Sequence, residues 1–488
     1  MKAIVFMIAL AGLLSMTACS SEHEEPYGPD ASPLGDVGPD VIDEELRDEM
    51  QQTIEDLGLN PLGDPPKVDE AKVALGHQLF FDPILSGSKD VNCATCHHMD
   101  RATTDEFALS AGTNFIIDEF GHRRPGPQLS FTPRTSTELF NLGHEELRTM
   151  FWDVRLEKLE DGNIVLHEHS YPKMEGNYLR VMPEELDSLL AAQAMLPVHS
   201  RNEMRGADGA KDIFGETNET ASVPNHHFEG TWKRITDRLV DIPAYVELFD
   251  QVYPELDKEE LNFAHAANAL AAFQIDAFTF PDSPWDDFVD GDDEALTNAE
   301  LRGADLFFGE AQCATCHGGD LFTDQRFYNL AVPPMTRGPE SLDNMDLGAA
   351  HRSHAGPDEE FHFRTPPLRN VELTGPYMHN GAYATLEEVI RHKIDPVEGL
   401  WNYAPSHLTP AIERQVHSGE NELARVQDTL SSQALIVPEL SAKEIDDLIA
   451  FMKSLTSPSA TDLEHLDLED VPSGLPLPNL DEDSAAIH

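Results

Sequence analysis

The stretch LSAKEIDDLIAFMKSL (residues 440–455) places apolar side chains at Ile445, Leu448, Ile449 and Met452. That i, i+3, i+4, i+7 spacing predicts a helix with one buried face. Ser441 with Glu444 three residues later forms the capping box that opens it. LTNAELRGADLFF (296–308) repeats the device with Thr297 and Glu300, again ahead of an apolar face. From residue 66 to about 456 the patterning is mostly of this helical kind, so the expected fold class is mainly α. The flanks differ. Residues 19–65 and 457–488 are rich in Pro, Gly and acid, and predict a tether and an acidic tail. At the N-terminus, Lys2, an apolar run from Ala3 to Leu14 and small residues up to Ala18 predict a secretory signal over residues 1–18. The run is too short to span a membrane.

The pattern also recurs. LGHQLFFDPILSGSKDVNCATCHHMDRATTDEF, from Leu75, lies alongside RGADLFFGEAQCATCHGGDLFTDQRF, from Arg302. Both run Gly-x-x-Leu-Phe-Phe, a spacer, CATCH, then Thr-Asp and a Phe. Two related domains follow, expected over residues 66–280 and 281–456. Residues 158–193 and 204–225 interrupt the first and read as peripheral elaborations.

Charge narrows the partners. The 488-residue chain has 89 acidic and 33 basic residues, a net charge of −56. Clustered Lys and Arg are needed to neutralise phosphates, so no nucleic-acid partner is expected. The acid is spread along the chain, which suits a solvated surface in salty surroundings or the steering of a basic protein partner.

The five cysteines divide cleanly. Cys19 ends MTAC, which resembles a bacterial lipobox, so the expected product is exported to the periplasm or cell envelope and lipid-anchored there. The other four are Cys93, Cys96, Cys313 and Cys316, all within the CATCH copies, leaving none for a structural disulfide. Cys-x-x-Cys-His is the attachment signature of c-type haem. Two thiols on one side of a turn add to the haem vinyl groups, and the next residue, His97 or His317, becomes the proximal iron ligand. A zinc site built from both pairs would leave the two histidines unexplained. Two covalently bound c-type haems are expected.

LGHQLFFDPILSGS, FWDVR, SPWDDFVDGDDEAL, CATCHGGDLFTDQRFYNLAVP and FRTPPLRNVELTGPYMHNGAYATLEEVI occur here in an order that resembles the bacterial di-haem cytochrome c peroxidases. That superfamily includes MauG-type enzymes, which oxidise tryptophan in a partner protein. The resemblance implies two cytochrome c-like domains with the haems facing across their interface, a Ca2+ between them and a peroxide-driven reaction. It places the acid/base group at Glu203, in LPVHSRNEM, and an electron-relaying tryptophan at Trp152. Where classical members have a distal His, this chain has Thr113, and neither His98 nor His122 fits the motif, so the N-terminal site is expected to be open. Lys393 stands where the C-terminal haem's distal Met or Tyr would be, with His392 before it. A lysine there is expected to be solvated, so His392 is the expected distal ligand, with Met378, Met335 and Met345 as alternatives. His379 is expected to bridge the domains. Thr135, Thr374 and Pro376 align with the calcium ligands, although Thr135 replaces an asparagine.

The resulting expectation is a peroxidase. Electrons from a small cytochrome c or a copper protein enter the C-terminal haem, pass Trp152, and reduce hydrogen peroxide to water at the N-terminal haem. The alternatives are a MauG-like oxidase of a partner protein and a plain di-haem electron carrier. Family members are often homodimers.

Overall fold

In the computed structural model, residues 43–118, 122–168, 179–336, 345–352 and 357–478 are described. The signal sequence, Cys19, the first part of the expected tether and residues 479–488 lie outside them. Helices dominate. The first half holds α1 (Glu44–Leu57), α2 (Glu70–Phe81), α3 (Leu189–Ala194), α4 (Phe228–Val240), α5 (Pro243–Val252) and α6 (Phe263–Phe278). The second holds α7 (Pro284–Val289), α8 (Asn298–Phe308), α9 (Leu386–Ile394), α10 (Pro396–Trp401), α11 (Pro410–Glu413), α12 (Glu420–Asp428) and α13 (Ala442–Ser454). The predicted capping boxes at Thr297 and Ser441 open α8 and α13.

The internal repeat is a repeat of packing. α2 lies against α6, and α8 lies against α13. At the crossing, a Cβ on Gly76 would stand 1.9 Å from Ala269 O and 2.9 Å from Phe273 Cβ. On Gly303 it would stand 1.9 Å from Asp447 O and 2.8 Å from Phe451 Cβ. The repeated glycine is therefore the residue that lets each helix pair close, because any side chain would strike the partner's main chain. Around each crossing sits a separate core. Leu79, Phe80, Ala269, Phe273 and Phe278 belong to the first, and Trp285, Phe307, Leu448 and Phe451 to the second. Trp285 meets Phe451 edge-on at 5.2 Å.

Three expectations are corrected. The tether does not run to residue 65: Asp43 caps α1, and Met50 and Leu59 enter the C-terminal core while Leu62 enters the N-terminal one. The tail is not free from residue 457. Ala460, Leu463 and Val471 are buried in the N-terminal core, and Ser473 Oγ donates to Asp82 at 2.7 Å. In both flanks a few apolar residues suffice to dock a chain whose composition is mostly acid, Pro and Gly. The insert at 158–193 is also not wholly peripheral. It contributes to a four-stranded antiparallel sheet (Thr149–Met150, Leu156–Lys158, Ile164–His167, Leu179–Val181) and to α3, whose Leu189–Ala192 are core.

Candidate functional site

Each CATCH copy forms the same short 3-10 turn, Cys93–Thr95 and Cys313–Thr315. In both, the amide of the histidine donates to the carbonyl of the first cysteine, at 3.0 Å for His97 and 2.9 Å for His317. The turn brings both thiols and the imidazole of each copy to the wall of one cavity. The four cysteines are unpaired. His97 Nδ1 lies 2.9 Å from Thr103 O, and His317 Nδ1 lies 2.9 Å from Phe322 O. Since a carbonyl can only accept, each Nδ1 carries the proton and the lone pair is left on Nε2, the tautomer an iron ligand requires. Burial keeps both rings neutral, and pushes the pKa of His317 down to about 4.

The N-terminal cavity is lined by Cys93, Cys96, His97, Arg134, Trp152 and Glu203, among others. His97 is the sole histidine among its described lining residues. His98 and His122 instead pair with Asp100 and Asp118. Thr113, at the position of the classical distal histidine, is buried with its hydroxyl donating to Asp90 at 2.9 Å. Glu203 reaches the cavity from a single π-helical turn, Arg201–Arg205, a distortion frequent at functional sites. Two contacts hold that turn. Thr113 N donates to Glu203 O at 2.8 Å, and a Cβ on Gly112 would stand 2.2 Å from the same oxygen. Burial raises the pKa of the Glu203 carboxyl, while Arg155 and Arg134 draw it back down.

The C-terminal cavity is lined by Cys313, Cys316 and His317 together with Arg364, Met378 and Lys393. His392, the expected distal ligand, is placed differently. Its Nδ1 lies 2.8 Å from Tyr383 OH and its Nε2 lies 2.8 Å from Leu330 O, so both ring nitrogens are occupied and the ring is not part of the cavity wall. Lys393, expected to be solvated, faces the cavity instead, and burial lowers its pKa. Of the methionine alternatives, Met378 lines this cavity, whereas Met335 and Met345 do not. Nothing but the phase of α9 separates His392 from Lys393. Leu386, Val389 and Ile390 line the cavity with Lys393, and that i, i+3, i+4, i+7 face was already present in the sequence.

Between the cavities stand Thr135, Ser136, Thr137 and Trp152, which line both. Arg134, next in the chain, pairs with Asp153 at 2.8 Å and Asp346 at 2.7 Å, all three buried. It thereby ties the residue after Trp152 to a distant loop. His379 stacks on Phe363 with centroids 3.4 Å apart, and its carbonyl accepts from Thr135 N at 2.9 Å. Thr135, Thr374 and Pro376, aligned with calcium ligands, all border the C-terminal cavity, but the Thr135 hydroxyl already donates to Phe107 O at 3.2 Å.

Do these cavities suit a haem? The thiols and neutral imidazoles are the covalent and axial donors such a group needs. Two buried side chains also carry donors without partners. Among the described residues, Arg364 Nε and Nη1 and Trp152 Nε1 make no hydrogen bond, and both side chains line the cavities. Burial lowers the Arg364 pKa to about 10. A haem brings two propionates, anionic acceptors for such donors. The residues fit the group in both cavities.

Comparison with known proteins agrees with this donor set. Residues 70–294 match the family described as di-haem cytochrome c peroxidase. The methylamine utilization protein MauG of Methylorubrum extorquens is 28% identical over 328 residues, 66% of this chain and 68% of that protein. Cytochrome c551 peroxidase of Pseudomonas aeruginosa is 26% identical over 325 residues, covering 66% and 71%. A crystal structure of a MauG-like protein associated with microbial copper homeostasis superposes with a TM-score of 0.54 at 26% identity, over 83% of this chain and 96% of that one. The family match over residues 70–294 and these relatives support a MauG-like di-haem peroxidase superfamily and indicate an oxidoreductase enzyme, and the family description implies two c-type haems.

Proposed function

We propose that this oxidoreductase reduces hydrogen peroxide to water in the N-terminal cavity, with electrons delivered by a small redox protein to the C-terminal one. The observation that carries the reading is the pairing of His97 with Glu203 across a cavity lined by no second histidine. Haem bound there would supply the iron that takes peroxide and the electrons that reduce it. The chain's own residues do the rest. Glu203 accepts the proton from one peroxide oxygen and returns it to the other, so that water leaves rather than hydroxide. Its raised pKa suits it to both halves of that transfer. Arg155 and Arg134 oppose the rise, which keeps the carboxylate accessible as a base. Trp152, which borders both cavities, serves in this reading as the aromatic path between two haems that face each other across it. Electrostatics suit a basic cytochrome c or copper-protein donor, since the surface is strongly acidic.

The same reading includes export and acylation at Cys19. No described helix is long and apolar enough to cross a membrane.

Glu203→Gln tests the proposal. It should retain both haems and lose about 10²–10⁴ of peroxide turnover, the range for general acid–base catalysis. Unchanged turnover would remove Glu203 from the mechanism. The MauG-like reading, oxidation of a partner protein, is favoured by one specific observation: Thr113 replaces the distal histidine and is tied to Asp90. It predicts slow turnover with reduced cytochrome c, where the peroxidase reading predicts fast turnover. A plain electron carrier accounts neither for the enzymes among the relatives nor for Glu203 in the cavity wall.

A further inference from the structure

α9 runs along the C-terminal cavity with a fixed rotation. Thr385 caps its start through Glu388, with both halves of a capping box present. On the side away from the cavity, His392 is bonded to Tyr383 and to Leu330 O. With the helix so held, Leu386, Val389, Ile390 and Lys393 project to the cavity. Three of these suit the apolar wall of a tetrapyrrole pocket. The fourth is an amine.

That amine lacks what the buried cations Arg134 and Arg369 have. Arg134 carries Asp153 and Asp346, and Arg369 carries Asp286 at 2.7 Å. Lys393 lines the cavity together with Cys313, Cys316 and His317, and its Nζ makes no hydrogen bond or ion pair among the described residues. Lys393 is half-buried, open toward the cavity. Once the cavity is filled, an ammonium there would be buried without a counter-charge, which is costly unless the group has a partner. The partner that a cavity walled by the haem-attaching residues supplies is the iron.

We propose that Lys393 Nζ is the second axial ligand, with His317, of the iron of the haem attached at Cys313 and Cys316. Ligation uses the nitrogen lone pair, so the ammonium proton is released to solvent on binding. No electron is transferred in forming the bond. Met378 and Met452 also line the cavity. However, a thioether is content in apolar surroundings, whereas a buried amine is not. A nitrogen ligand in place of a thioether lowers the potential of this haem. The inference rests on the two-haem reading but not on peroxide chemistry.

The test uses the oxidised di-haem protein and its absorption, EPR and redox titration. Lys393→Ala should convert one low-spin signal to high-spin, and added imidazole should restore a low-spin signal. Lys393→Met should keep the site low-spin, gain the sulfur-to-iron charge-transfer band absent from the wild type, and raise one midpoint potential. Met378→Ala and Met452→Ala should leave the spectra unchanged. The assignment is overturned if Lys393→Ala retains the wild-type low-spin signals, or if either methionine variant loses one. Should Lys393→Ala fail to mature, Lys393→Met decides: an unaltered spectrum and potential count against the lysine. Loss of peroxide turnover in Glu203→Gln is a separate measurement, so either idea can fail alone.

Discussion

Replacing Gly303 with alanine probes the packing that sets each haem-attachment turn. The new Cβ would lie 1.9 Å from Asp447 O. Ordinary contact begins at 3.4 Å, so α8 and α13 must part by about 1.5 Å (3.4 − 1.9). No rotamer change relieves this, because the obstruction is main chain. Overpacking a close-packed core costs about 1–3 kcal/mol, and a main-chain clash belongs at the upper end. Alanine recovers about 1 kcal/mol of helix propensity. The net loss is about 2 kcal/mol, as the contacts of Phe307 and Trp285 with Phe451 around the crossing loosen. The assay is urea unfolding of the haem-loaded protein by far-ultraviolet circular dichroism, with haem content measured per chain. Gly76→Ala, facing the same 1.9 Å approach to Ala269 O, should lose a similar amount. A wild-type unfolding midpoint in both variants would refute the packing account of the repeat.

Other outcomes follow from buried charge. Arg134→Met removes the cation shared by buried Asp153 and Asp346, leaving Asp153 with Arg155 at 3.5 Å, and should cost about 3–5 kcal/mol near neutral pH. The loss should shrink in acid as those carboxyls take up protons, which urea titrations at several pH values would read. Glu138 lies in the C-terminal cavity wall, and burial raises its pKa to about 7 from an ordinary 4.5. A raised acid holds its proton longer in the folded state, so its stabilising contribution is full below about 4.5 and is lost as the pH rises through about 7. Glu138→Gln should therefore fall less in stability than the wild type across that window, and an identical pH profile would count against the burial of this carboxyl.

Much of this architecture was legible in the sequence, and the misses share a cause. The CATCH pairs, the capping boxes at Thr297 and Ser441 and the Gly-x-x-Leu-Phe-Phe repeat are local signals, and local signals survive without a structure. The flanks were misread because composition was weighed above spacing. Leu46, Met50 and Ile54 recur every four residues, Asp43 caps the helix and Gly58 ends it at φ +66. α3 was hidden in the same way, inside a polar insert whose short strands give little periodicity. His392 was preferred over Lys393 on side-chain chemistry alone. The helical phase of Leu386, Val389 and Ile390 pointed to Lys393, but which face met the cavity depended on Tyr383 and Leu330, neither of them a neighbour in the helix. The placement of Trp152 against both cavities, and of Arg364 as an unpartnered donor, is set by contacts between distant segments and has no local signature.

The central claim is that the cavity holding His97 and Glu203 is open to peroxide. EPR of the oxidised di-haem protein, recorded before and after stoichiometric hydrogen peroxide, tests it most directly. The account predicts a high-spin signal from one haem that disappears on adding peroxide. Two low-spin signals that ignore peroxide, even after half reduction, would contradict it.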